Sequence, residues 1–144
     1  MLEITELLNH LEQQLRQTLE ARVVENPIMI GIRTGGVWVA EVMHQRLAIE
    51  EPLGLLDSTY YRDDFAQIGI HPNAKPSFLP SNLTGRDIIL IDDVFCTGRT
   101  IRAAMNEIFD YGRPKQIILA ALVEREGKQL PITPDCRGTR LQLK

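Results

Sequence analysis

Residues 88–100 read I-I-L-I-D-D-V-F-C-T-G-R-T and carry the densest set of groups able to do chemistry. Two adjacent carboxylates, Asp92 and Asp93, are followed by Thr97, Gly98, Arg99 and Thr100, and a helical pattern begins at Ile101. A short glycine-containing turn that opens a helix presents free backbone N–H groups and the positive end of the helix dipole, which suits a phosphate. The Thr97 and Thr100 hydroxyls add donors. Carboxylates beside an anion site would repel the anion unless they hold ligand hydroxyls or a metal-bound water. The plainer alternative is that Asp and Thr are turn and cap residues and T-G-R-T only starts a helix. The pattern is not the nucleoside-triphosphate loop G-x-x-x-x-G-K-[ST], because Arg99 follows Gly98 and no glycine stands five residues earlier. Nor is there a G-x-G-x-x-G dinucleotide fingerprint.

The elements that must hold these residues can be read outward from them. Ile88 to Ile91 form a continuous apolar run, the signature of a strand buried on both faces of a parallel sheet. Asp92 and Asp93 then fall where that strand should end, and ligands of open α/β sheets bind beyond the carboxyl ends of the strands. Ile28 to Ile32 repeat the theme: an apolar strand, then Arg33-Thr34-Gly35-Gly36, then a helix over about 37–47. Alone, that turn is equally a second anion site or a plain βα turn in which glycine allows positive φ. After the central motif, Ile101, Ala104, Met105, Ile108 and Phe109 mark an amphipathic helix that Gly112 and Pro114 stop. Gln116 to Val123 is a second buried strand, and Glu124 to Gln129 reads as a charged turn at the same edge.

The flanks are less informative. Ile4, Leu7, Leu8, Leu11, Leu15 and Leu19 recur at helical spacing and predict an amphipathic helix whose stripe is core or subunit contact. Leu53 to Tyr61 alternates like a strand nearer the sheet edge. From Phe65 to Gly85 the chain shows little periodicity and carries Gly69, Pro72, Pro76 and Pro80. Such a stretch is either an active-site lid or a hairpin arm. Arg137, Arg140 and Lys144 near the end read as a solvated cationic tail.

The chain has 144 residues, 44% hydrophobic and 24% charged, which predicts one globular α/β domain over 1–144. A net charge of −3 disfavours non-specific nucleic-acid binding and leaves room for a local basic patch. Cys96 and Cys136, with His10, His44 and His71, make no metal-ligand spacing. No leader or apolar run of membrane length is evident, so a cytoplasmic protein is expected.

The strand, the Asp-Asp pair and T-G-R-T resemble the phosphoribosyl-pyrophosphate motif of type I phosphoribosyltransferases. T-G-R-T-I-R-A-A (97–104), Y-G-R-P (111–114) and L-P-I-T-P (130–134) are similar to the bacterial pyrimidine-operon regulators that are also uracil phosphoribosyltransferases. The resemblance covers nearly the whole chain. It implies a type I fold: a mostly parallel sheet flanked by helices, a small hood and a long flexible loop. It implies UMP and pyrophosphate made from uracil and phosphoribosyl pyrophosphate (PRPP), with magnesium accompanying the donor. By matching position, Asp92 and Asp93 would hold the ribose hydroxyls, directly or through magnesium-bound water. Thr97, Gly98, Arg99 and Thr100 would cradle the 5′-phosphate, and Arg33, Thr34, Gly35 and Gly36 the pyrophosphate. Val123, Glu124 and Arg125, with Leu130, Pro131 and Ile132, would line the base pocket. Arg62, Asp63 and Asp64 would begin the flexible loop that closes over the donor. It further implies a homo-oligomer, dimer or tetramer, and leader mRNA as a partner. For that partner the sequence offers Arg16, Arg22, Arg113, Lys115, Arg137 and Arg140.

Three departures stand out. The pyrophosphate turn has Gly35 where better-known members carry Arg. The turn after the last strand reads E-R-E-G instead of D-R-G-H. The family continues past the position of Lys144, so an incomplete hood over the base is expected. Two other readings remain beside the enzyme: a UMP-sensing RNA-binding attenuation regulator with weak or lost catalysis, and a purine phosphoribosyltransferase of the same fold.

Overall fold

The computed structural model describes residues 3–33, 35–57, 78–80 and 82–142. In chain order the elements are α1 (Ile4–Ala21), β1 (Ile28–Arg33), α2 (Gly36–Arg46), β2 (Gly54–Asp57), β3 (Asp87–Phe95), α3 (Arg99–Tyr111), β4 (Gln116–Arg125) and β5 (Cys136–Leu141). The five strands form one sheet in the order β2-β1-β3-β4-β5, every pair parallel. The expected α/β architecture with a central parallel sheet is therefore present, and the short β2 lies at an edge.

The unbroken apolar runs have a physical cause. Successive strand residues point to opposite faces, and here both faces are covered. Met29, Ile89, Ile91, Ile118 and Ala120 pack with Leu7, Leu8, Leu11 and Leu15 of α1 and Val39, Ala40 and Met43 of α2. Ile28, Ile30, Ile88, Leu90 and Leu119 pack on the other side with Ile101, Ala104 and Ile108 of α3 and with Leu83. Burying one such side chain contributes about 1.5–3 kcal/mol. Close approach is set by small residues. A Cβ on Gly31 would lie 2.8 Å from Ala40 Cβ, and one on Gly138 would lie 2.9 Å from the Leu7 carbonyl. So α2 sits directly on β1, and α1 on β5. His10 Nδ1 donates to the Gly138 carbonyl at 2.7 Å, which fixes α1 to that strand.

α1 and α2 end alike. Val24 N–H reaches back to the Leu19 carbonyl (2.9 Å) and Val23 N–H to that of Glu20 (3.1 Å). Ile49 N–H reaches His44 (3.2 Å) and Ala48 N–H reaches Gln45 (3.1 Å). This is the Schellman pattern, whose left-handed position is usually glycine. Here Val23 (φ 54°) and Ala48 (φ 52°) occupy it.

Several expectations change. β3 does not end at Ile91 but runs through Asp92 and Asp93 to Phe95, because β4 extends alongside and pairs up to Phe95–Glu124. For the same reason Glu124 and Arg125 belong to β4, not to a turn. α3 begins at Arg99, two residues early. Gly112, past its end, is required for space: its φ of 161° is extended, but a Cβ would meet Thr84 Oγ1 at 2.9 Å. The solvated tail is instead strand β5, in which Arg137 and Arg140 pair with Glu124. Thr34, the end of the expected strand after Asp57, Arg62, Asp63 and Asp64, most of the 65–85 stretch, and Lys144 lie outside the described residues. No helix among the described residues is long and apolar enough to cross a membrane.

Candidate active site

Because β1, β3 and β4 are parallel, their carboxyl ends meet at one edge of the sheet. The pairing of β1 with β3 runs to Gly31–Ile91, while that of β3 with β4 continues to Phe95–Glu124. Asp92 and Asp93 thus lie beyond the last β1–β3 pair, and the β1–α2 turn folds against them. A Cβ on Gly36 would lie 2.9 Å from Asp92 Cα, and one on Gly35 would overlap Asp93 Oδ2. Two glycines are needed for the turn to reach the carboxylates at all.

The two aspartates are not equivalent. Asp92 is 6% exposed, and its Oδ1 accepts the N–H of Asp93 at 2.8 Å. Burial, reinforced by the neighbouring Asp93 carboxyl, pushes its pKa up to about 8. Asp93 is half-buried, and its Oδ1 accepts the N–H of Val94 at 2.8 Å. Paired carboxylates in this setting fit a bound cation or sugar hydroxyls, which would offset the desolvation that raises the Asp92 pKa.

The second turn rises beside them. Gly98 has φ 95°, a left-handed conformation that glycine adopts without strain. It starts α3 with no side-chain cap, and α2 likewise starts at Gly35 without one. Two helix starts at one edge therefore offer N–H groups to an anion. Thr97 Oγ1 accepts the N–H of Arg99 at 3.1 Å, so this hydroxyl stiffens the turn. Asp92, Val94, Cys96, Thr97, Gly98 and Thr100 line a hollow of about 80 Å³. In the first turn, Arg33 Nε is buried without a hydrogen-bond partner among the described residues.

The crossover from β4 to β5 leans on the glycine turn. Thr97 carbonyl accepts the N–H groups of Gln129 (2.9 Å) and Leu130 (3.3 Å). Arg99 Nε donates to Gln129 Oε1 at 3.0 Å. Leu130 and Ile132 pack over Gly98, and Ile132 N–H bonds the Leu130 carbonyl at 2.7 Å in a tight turn through Pro131. Gln129 escaped the sequence reading because it sits in a charged run without motif or period.

Glu124 is nearly buried and turned toward β5: Oε1 meets Arg137 Nη1 at 3.0 Å and Oε2 meets Arg140 Nε at 3.8 Å. With Phe95, Arg125 and Lys128 these residues border a cavity of about 310 Å³. A larger cleft of about 640 Å³ lies at the opposite edge, between the ends of α1 and α2, far from the paired carboxylates. Its size gives it no claim on the chemistry.

The phosphoribosyl transferase domain family matches residues 2–142. The chain belongs to the phosphoribosyltransferases. Similar curated proteins are each called "Bifunctional protein PyrR". That of Nitrosococcus oceani is 53% identical over 144 residues, covering 99% of this chain and 81% of the relative. That of Pseudomonas aeruginosa is 49% identical over 138 residues, covering 96% and 81%. Among solved structures, a hypoxanthine-guanine phosphoribosyltransferase from Bacillus anthracis superposes with a TM-score of 0.76 at 16% identity, covering 98% of this chain and 82% of that one. A purine phosphoribosyltransferase from Pyrococcus horikoshii gives 0.69 at 20%, covering 96% and 82%. Those two likenesses establish the type I fold. This phosphoribosyltransferase brings Gly35, Gly36, Asp92, Asp93, Thr97 to Thr100, Leu130 and Ile132 to one sheet edge. Glu124 is committed to the β5 arginines instead.

Proposed function

We propose that the chain is a uracil phosphoribosyltransferase that also regulates pyrimidine genes. The observation that carries this is the Asp92–Asp93 pair set between two uncapped helix starts, in a chain about half identical to bifunctional PyrR proteins. The residues act as one domain. In the reaction a ring nitrogen of uracil forms a bond to the anomeric carbon of PRPP as the bond to pyrophosphate breaks. The pyrophosphate leaves with the electron pair, and the nitrogen's proton passes to solvent. The sugar develops oxocarbenium character, which calls for charge stabilisation and exclusion of water more than for a nucleophilic side chain.

Asp93, the more accessible carboxylate, holds ribose hydroxyls and faces the developing positive charge. Asp92 supports it from the buried side. The α3 start with Thr97 to Thr100 holds the 5′-phosphate, and the α2 start with Arg33 to Gly36 holds pyrophosphate. Val123 and Arg125, with Leu130 to Ile132, border the base. Asp92 and Asp93 are the residues that would hold magnesium or its water ligands, and the cation would neutralise the departing pyrophosphate.

For leader mRNA, most candidate cations are engaged. Arg16 pairs with Glu12, Arg22 with Asp135, and Arg137 and Arg140 with Glu124. Arg113 and Lys115 are exposed and carry the RNA contact, across a homo-oligomer. The deciding experiment is UMP formation from uracil and PRPP with magnesium, with hypoxanthine as competitor. UMP formation unaffected by hypoxanthine is expected. A nucleotide made only from hypoxanthine would make the enzyme a purine phosphoribosyltransferase, and UMP binding without turnover would make the chain a sensor.

A further inference from the structure

We infer that Gln129 is a positioning residue that locks the base-side segment 129–132 onto the phosphate turn, an inference that rests on the proposed reaction. The β4–β5 crossover has no regular secondary structure; its ends are tied to Leu141 and Leu119 through Glu126 and Asp135. In its middle, the attachments of Gln129 and Leu130 converge on one place. The N–H groups of Gln129 and Leu130 both point to the Thr97 carbonyl, at 2.9 and 3.3 Å. The Gln129 side chain accepts from Arg99 Nε at 3.0 Å, so residue 129 grips the turn on both sides of Gly98. Leu130 and Ile132 then close over that glycine, where a Cβ would lie 3.4 and 3.8 Å from their Cβ atoms. Arg99, expected from sequence at the phosphate, thus sends its Nε to the base-side segment.

The consequence is mechanical. A phosphate that orders the N–H groups of residues 98–101 also orders the Thr97 carbonyl between them and the crossover. The wall contributed by Leu130 to Ile132 is then set before the base arrives. Gln129 gives binding of the donor a way to improve binding of the acceptor, without touching either ligand.

The test uses the full chain with Gln129→Ala and Gln129→Glu. The alanine variant loses the bond to Arg99, and the glutamate variant keeps an oxygen there. One exposed side-chain bond corresponds to about a threefold to tenfold effect. We expect KM for uracil at saturating PRPP to rise by about that factor in Gln129→Ala while Kd for PRPP without uracil stays put, and Gln129→Glu to restore it. An equal rise in the Kd of PRPP alone, or no recovery in the glutamate variant, would refute the assignment. A second readout needs no turnover: amide exchange of Gln129 and Leu130 by NMR, with and without ribose 5-phosphate. The sugar phosphate should slow both amides in the native chain and fail to do so in Gln129→Ala. Unchanged exchange in the native chain with ribose 5-phosphate bound would sink the coupling even if UMP is formed. Slowed exchange without UMP formation would sink the uracil reading and leave the coupling standing.

Discussion

Gly35 lies against the carboxylate of Asp93, so close that a methyl group on the glycine would overlap Oδ2. The contact joins the turn after β1 to the end of β3, two segments far apart in sequence. Gly35→Ala must therefore move something. The backbone of β3 is held by β4, so the Asp93 side chain yields, breaking its bond to Val94 N–H. We expect a folded protein destabilised by about 1–3 kcal/mol, with kcat/KM falling at least tenfold, as lost orientation of a reacting group predicts. A melt combined with steady-state kinetics checks this. Native kinetics in the variant would mean that Asp93 has room to turn without consequence.

Asp93→Ala tests the carboxylate itself. Asp93 lies in the more exposed part of β3 and forms no part of either apolar cluster. Its removal should leave the fold intact and lower kcat/KM, with circular dichroism and a thermal melt as controls. Unchanged kinetics in a folded Asp93→Ala variant would remove Asp93 from the reaction.

Asp92 predicts a pH dependence of stability in the ligand-free protein. Its folded pKa stands near 8, raised from 3.8 by burial and by Asp93. The folded chain thus holds this proton more tightly than the unfolded chain. The stabilisation is complete below the ordinary carboxylate range and is lost as pH rises toward 8. Each unit of difference corresponds to about 1.4 kcal/mol, so a few kcal/mol are at stake. Asp92→Asn has no proton to lose. Melts between about pH 5 and pH 8 should show the native chain losing Tm relative to the asparagine variant as pH rises. Parallel curves would show that Asp92 ionises in the folded state at no cost.

The two left-handed positions give a stability prediction away from the site. Val23 (φ 54°) and Ala48 (φ 52°) adopt a conformation that costs a non-glycine residue roughly 1–2 kcal/mol. Both hold a Schellman turn together, and Val23 is 74% exposed, so its side chain returns little. Val23→Gly should raise Tm by roughly 3–5 °C, and Ala48→Gly by less, since alanine is not β-branched. Calorimetry on both variants checks the order as well as the sign.

What could be read from sequence was whatever depends on a residue and its near neighbours. Ile88 to Ile91 announce a strand because both faces are covered and every position is apolar. Thr97 to Thr100 announce a helix start because glycine and threonine have few other reasons to stand there. The extension of β3 through Asp92 to Phe95 was not legible, since it depends on how far β4 reaches alongside. C-R-G-T-R-L hides a strand for a related reason. Gly138 is there to let α1 approach, and Arg137 and Arg140 are there to meet Glu124, so the usual alternation never shows. Gln129 was invisible because its partners, Thr97 and Arg99, come from another turn.

The pairing of Glu124 with β5 carries the last prediction. Glu124 is 9% exposed, and a carboxylate so placed needs compensation. Arg137 supplies it at 3.0 Å, while Arg140 stands off at 3.8 Å and is exposed. Arg137 is itself tied down, since its N–H donates to Gln14 Oε1 of α1 at 2.8 Å. Arg137→Ala leaves Glu124 with only the distant partner and should cost about 1–2 kcal/mol, less than the full loss of a buried pair. Glu124→Gln removes the charge that needs compensating, so it should cost less. The double variant should be more stable than the sum of the single losses implies, the mark of a direct pair. Chemical denaturation of the four proteins measures the coupling. Strict additivity would mean that the arginine lies beside Glu124 without stabilising it, and that β5 is held by α1 and its backbone ladder alone.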